Sequence, residues 1–197
     1  MLIAYPAWVR ADGDPASDVL ATQSLFLPQD AGIPLSQQGQ LAELLRTASS
    51  DGYAIRVAVI ASRADLGSVT ELWREPQTYA RFLGLEVALV YRGPLLVVMP
   101  DGLGLSGLPA SAATAVAGVH PSAGSGLGDA ALTAIQRLAR AAGHLLPVPP
   151  PAAVDTGPHG SDAIAVLAFA FGAALILIAW TASLRARPPR LPGRRAA

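Results

Sequence analysis

The chain has 197 residues, with no cysteine, no net formal charge, 52% hydrophobic and only 14% charged residues, and a mean hydropathy of +0.41. Without cysteine, disulfides and thiolate metal sites are excluded, although the compartment is left open. So apolar a composition exceeds that of an ordinary soluble domain and points to a membrane segment.

The first residues, "MLIAYPAWVRADG", form a short apolar stretch that lacks the basic region of a secretion signal, and Ala11 ends a small-residue "VRA". Residues 1–11 are expected to be the remnant of a signal peptide whose start lies upstream. Residues 12–145 then read as one domain. "SLFLP", Ser24 to Pro28, predicts an early strand. From Ser36 a helix is signalled by Leu41, Leu44, Leu45 and Ala48, spaced i, i+3, i+4, i+7, and Asp51-Gly52 stops it. "YAIRVAVIAS" predicts a buried strand with Ile55, Val57 and Val59 on one face. "ADLGSVTELW" is expected to be a loop or short helix, and Pro76 opens a helix through Tyr79, Phe82 and Leu83.

Two strands are expected next, "LEVALVY" and "PLLVVMP", joined through Arg92-Gly93 as a tight hairpin. A Gly-rich turn, a small-residue helix over Ala110 to Gly118 and a break at "HPSAGSG" follow. The last helix is expected to open at Asp129 as its N-cap, to align Leu132, Ile135 and Leu138, and to stop at Gly143. Mixed strands and helices over this length predict an α/β or α+β domain, a mixed sheet with flanking helices.

"LPVPPPAAVDTGPHG" then predicts an extended, semi-rigid stalk over residues 146–162. Ala163 to Leu184 carry no charge over 22 residues, long enough as a helix to cross a bilayer, with Trp180 near one end. All 14 acidic residues lie at or before Asp162. Residues 1–162 therefore hold nine arginines against 14 acids, a net charge of −5, whereas residues 185–197 hold five arginines and no acid. The positive-inside bias assigns that tail to the cytoplasm and the acidic domain to the other side of a cell membrane crossed once. Membrane topology accounts for the tail arginines, so no nucleic-acid partner is implied.

Gly102, Gly104 and Gly107 spell G-x-G-x-x-G after an apolar run. A dinucleotide fold needs a helix opening on the third glycine and then a parallel strand ending in an acid. Here Pro109 follows, the next segment breaks at His120-Pro121, no apolar strand precedes Asp129, and the expected hairpin is antiparallel. A dinucleotide cofactor is therefore not expected.

The order "QLAELLRTASSDGYAIRVAVIA … TYARFLG … LEVALVYRGPLLVVMPDGLGLSGL" resembles a TPM domain over residues 17 to 144. Tyr79-Ala80 and Gly102-Leu103-Gly104-Leu105 are the sharpest points of likeness. The resemblance implies a bacterial extracytoplasmic domain on a single membrane helix, with the glycines turning the chain sharply off a hairpin. The chain departs from the family at Gly84-Leu85-Glu86, where Asp/Asn-Gly is usual, and at Ser106, where an acid is common.

Some TPM domains are acid phosphatases or bind divalent cations, so the resemblance implies Ca²⁺ or Mg²⁺ as candidate ligands. Either role needs converging carboxylates. Asp65, Glu71, Glu86 and Asp101 are the acids nearest the relevant loops, but their spacing makes no ligand motif. Asp101 sits in a Pro-Asp-Gly turn, and Asp65 is expected to cap a short helix or simply to face water. His120, His144 and His159 have no acid or nucleophile at informative spacing, G-x-S-x-G is absent, and Trp73 and Tyr79 are expected in the core. No catalytic, cofactor or metal residue is assigned. The expected function is a membrane-anchored, extracytoplasmic accessory or binding module with a membrane-protein partner; the alternative is a weak divalent-metal-assisted phosphatase.

Overall fold

The computed structural model describes residues 13–147 and 149–150. The expected signal remnant over residues 1–11, membrane span at 163–184, basic tail and all but the first residues of the stalk lie outside them. Among the described residues no helix is long and apolar enough to cross a membrane.

The chain order is α1 (Pro15–Leu20), β1 (Leu25–Phe26), α2 (Leu35–Ser50), β2 (Arg56–Val59), α3 (Pro76–Glu86), β3 (Leu95–Met99), β4 (Gly102–Ser106), α4 (Ala112–Ala115) and α5 (Ser125–Ala141). Single 3-10 turns at Arg63–Leu66 and Thr70–Leu72 fill the connection between β2 and α3. The fold is thus the expected α/β type, with a four-stranded mixed sheet between helices. Its strands lie in sequence order, β1 and β3 each parallel to β2, and β4 antiparallel to β3.

Alternation along the strands sends side chains to two apolar layers. Ile55, Val57 and Val59 face the layer under α2, α4 and α5, as expected, with Leu41, Leu44, Leu45 and Ala48 of α2 and Ile135 and Leu138 of α5. Ala58, Ile60, Val97 and Met99 face the opposite layer, under α1 and α3, which is completed by Leu20, Tyr79, Ala80 and Leu83. Trp73 is half-buried against this second layer, and Phe82 stacks on Tyr79 with ring centroids 6.2 Å apart.

Three expectations are corrected. "LEVALVY" is not a strand: α3 runs on to Glu86 and a 3-10 turn covers Val87–Leu89. Tyr79, Ala80, Leu83 and Val87 are buried at helical spacing while Leu85 and Leu89 face out, so the helical period set by Pro76 overrides the β-propensity of the segment. Arg92-Gly93 therefore leads into β3 rather than closing a hairpin. The hairpin lies one segment later, at Pro100-Asp101, and the glycine-rich segment is its second strand rather than a turn. Lastly, α5 opens at Ser125, after Gly124 at φ +69°, and not at Asp129. Asp129 instead accepts a 2.6 Å hydrogen bond from Gln37 Nε2, which ties α5 to α2.

Beyond α5 the chain turns back along α2. His144 Nδ1 lies 2.9 Å from Asp51 Oδ2, Gln136 Nε2 donates to the Leu146 carbonyl at 3.3 Å, and Gln40 Nε2 to the Pro149 carbonyl at 2.9 Å.

Candidate functional site

The G-x-G-x-x-G segment is shaped by packing. A Cβ on Gly104 would sit 1.8 Å from the carbonyl oxygen of Pro76 and 2.9 Å from the Ala80 side chain, so only glycine lets α3 lie this close on β4. Gly107 has φ +67°, and a Cβ there would meet the Gly93 carbonyl at 2.3 Å. A strand in an antiparallel hairpin presents none of the helix N-terminal amides that cradle a pyrophosphate.

The four carboxylates nearest the loops are dispersed in role. Asp65 Oδ2 accepts from the backbone N–H of Ala61 at 2.9 Å and Ser62 at 2.7 Å, the capping role expected for it. Asp101, in the β3–β4 turn, faces Arg74 Nε at 3.3 Å with both side chains well exposed. Glu71 lies in the 3-10 turn Thr70–Leu72, and Glu86 is exposed at the end of α3. Among the described residues no three of His, Cys, Asp and Glu converge as a metal site.

Two of the histidines can be placed. His144 pairs with Asp51 and lies against Tyr53, ring centroids 5.4 Å apart, closing the end of α5. His120 borders a 310 Å³ pocket with Ser122, Asp129 and Arg137. The charged groups of that pocket hold the fold: Asp129 is engaged by Gln37, and Arg137 Nη1 donates to the Ala117 carbonyl at 3.1 Å. His159 lies outside the described residues.

Asp14 is an acid that sequence reasoning passed over. It is buried, its carboxylate caps α1 by accepting from Ala16 N, and Tyr79 Oη donates to it. Its only sequence signal was the Asp-Pro of a helix start. Burial raises its pKa above the usual carboxylate range, outweighing the opposing bonds from Tyr79 and Ala16, with a further push from Glu86 and Asp18. The Tyr79 hydroxyl is held protonated by burial and by the adjacent carboxylate.

The two sheet edges are treated differently. On β4, Gln77 from α3 turns its amide onto the strand: Nε2 donates to the Leu105 carbonyl at 2.8 Å, and Oε1 accepts from Leu105 N–H at 3.0 Å. One side chain thereby substitutes for a neighbouring strand. On β1 the pairing of Leu25 with Val57, with Val57 N–H donating to the Ser24 carbonyl, turns the N–H and C=O of Leu25 itself away from β2. Among the described residues no strand pairs with that side of β1, which borders a groove of about 730 Å³ between β1, the end of α1 and the first half of α2. Its walls include Val19, Leu25, Leu27, Leu35, Gln38 and Gly39. The groove is open, partly apolar, and backed by a strand edge, which suits an extended chain better than a compact metabolite.

No protein-family model, curated protein or solved structure matches this chain.

Proposed function

We propose that the chain is a single-pass, membrane-anchored protein that displays a TPM-like domain outside the cytoplasm as a binding module. In this reading β1 takes an extended segment of an envelope partner as an added strand. The observation that carries it is the unequal treatment of the sheet edges among the described residues: Gln77 closes β4, while Leu25 of β1 presents its backbone to a groove of about 730 Å³. An added strand would hydrogen-bond Leu25 and lay alternate apolar side chains toward Leu27, Leu35 and Val19, the division of labour found in strand addition. The uncharged run Ala163–Leu184 and the arginine-rich tail support the anchoring and its polarity.

The test is a photo-crosslinking residue at Gln38, on the groove wall, in the full chain expressed in its own membranes. A discrete adduct that forms at Gln38, fails to form from Ala64, and vanishes when Leu25→Pro removes the open-edge N–H is expected. Adducts unaffected by Leu25→Pro would overturn strand addition. Protease added to intact cells should digest the domain, and resistance there with digestion after lysis would overturn the topology.

A further inference from the structure

Four large apolar side chains stand out of the domain in the region where β2 and β3 begin: Leu85 at 77% exposure, Leu89 at 94%, Val90 at 62% and Leu145 at 77%. Although 60 residues separate Leu85 from Leu145, contacts join their surroundings. The hydroxyl of Tyr91, next to Val90, lies 2.5 Å from the Ala54 carbonyl and 2.7 Å from the Pro94 carbonyl, which share its one proton. Tyr53, next to Ala54, lies against the ring of His144, and Leu145 follows. Leu85 stands one helical turn before Leu89. The same end carries exposed Arg92 and Arg140, with Arg56 stacked 4.0 Å over the Tyr91 ring. Asp51 there is paired with His144, and Glu86 directly follows Leu85 in the chain.

Apolar side chains ringed by arginine and tyrosine match the chemistry of a bilayer surface, where alkyl groups enter the acyl boundary and guanidinium groups meet phosphate. We propose that this end of the sheet is a foot that rests on the membrane, inserting Leu85, Leu89, Val90 and Leu145 between anionic headgroups. The inference rests on the membrane-anchored reading proposed above. Chain length favours lipid as the occupant: only 12 residues separate Pro150 from Asp162, where the expected span begins, and 12 residues reach no more than about 37 Å at polyproline rise. A domain on so short a tether meets its own bilayer at high effective concentration.

Because the chain has no native cysteine, single cysteines can report depth. Leu89→Cys and Ala64→Cys, the second exposed beyond the far end of β2, are spin-labelled in the full chain and reconstituted in phosphatidylglycerol-containing liposomes. The label at position 89 is expected to favour collision with oxygen over a water-soluble nickel chelate by at least about threefold relative to position 64. Leu85→Glu combined with Val90→Glu should return it to the value at position 64, and phosphatidylcholine alone should weaken its immersion. A chain that fails to float with liposomes overturns the anchoring reading and the foot together. A chain that floats while position 89 stays as water-accessible as position 64 overturns the foot alone. Spin–spin broadening at position 89 that disappears on dilution with unlabelled chain assigns the surface to a second copy and likewise overturns it.

Discussion

Tyr79 Oη lies 2.7 and 2.8 Å from the two carboxylate oxygens of Asp14, and both residues are buried between α1 and α3. The pair pins the beginning of the described chain to the centre of the second core layer. The folded domain holds the Asp14 proton more tightly than the unfolded chain, in which an aspartate titrates near 3.8. Its contribution is therefore most favourable below that pH and declines as pH rises through the raised folded value. Asp14→Asn, which keeps an acceptor for Tyr79 and for Ala16 N–H, should flatten that slope in urea titrations of the detergent-solubilised chain. Tyr79→Phe should cost about 2 kcal/mol at neutral pH, because a buried carboxylate loses its donor, and less below pH 3.8.

Gly104 sets the distance between α3 and β4. Gly104→Ala brings a methyl group onto the Pro76 carbonyl, a backbone atom that cannot rotate away, so the helix must lift. We expect a loss of about 3 kcal/mol, the upper end for overpacking. A thermal melt no lower than that of the parent chain would refute the close packing.

Gln77→Ala should uncover β4. The expected loss of stability is about 1 kcal/mol for two partly exposed hydrogen bonds. The larger effect should be self-association, since a bare strand edge recruits another. Sedimentation at several concentrations tests this, and a variant as monodisperse as the parent would show that the Gln77 amide does not protect the edge.

Asp65 and Asp101 serve a cap and a turn, so neither should support phosphate-ester turnover. Full-length protein with Mg²⁺ or Ca²⁺ should hydrolyse an aryl phosphate no faster than the metal-containing blank. Asp65→Ala should instead cost about 1 kcal/mol of stability, the usual value of a lost cap. Metal-dependent turnover abolished by Asp65→Asn or Asp101→Asn would restore the phosphatase alternative.

Residues that pack along one element were readable in the sequence, because their period is written there: Leu41, Leu44, Leu45 and Ala48 on α2, and Ile55, Val57 and Val59 on β2. The segment Leu85–Tyr91 misled because its valines favour a strand by local propensity while its burial follows the helix begun at Pro76. That error moved the hairpin by one segment and hid the strand inside the glycine motif. The contacts that define the candidate site were not legible at all. Gln77 reaches Leu105 across 28 residues and Tyr79 reaches Asp14 across 65, and no spacing rule links such pairs before the sheet brings them together. That β1 is an edge strand among the described residues is likewise a property of strand order, which two apolar residues at Leu25–Phe26 could not announce.

The backward run of the chain after α5 has a mechanical consequence. A load drawn through the carboxyl-terminal side would meet the Gln40–Pro149 bond first and the Gln136–Leu146 bond next, one at a time. Such a load would therefore undo side-chain bonds on the surfaces of α2 and α5 before it reached the backbone ladder of the sheet.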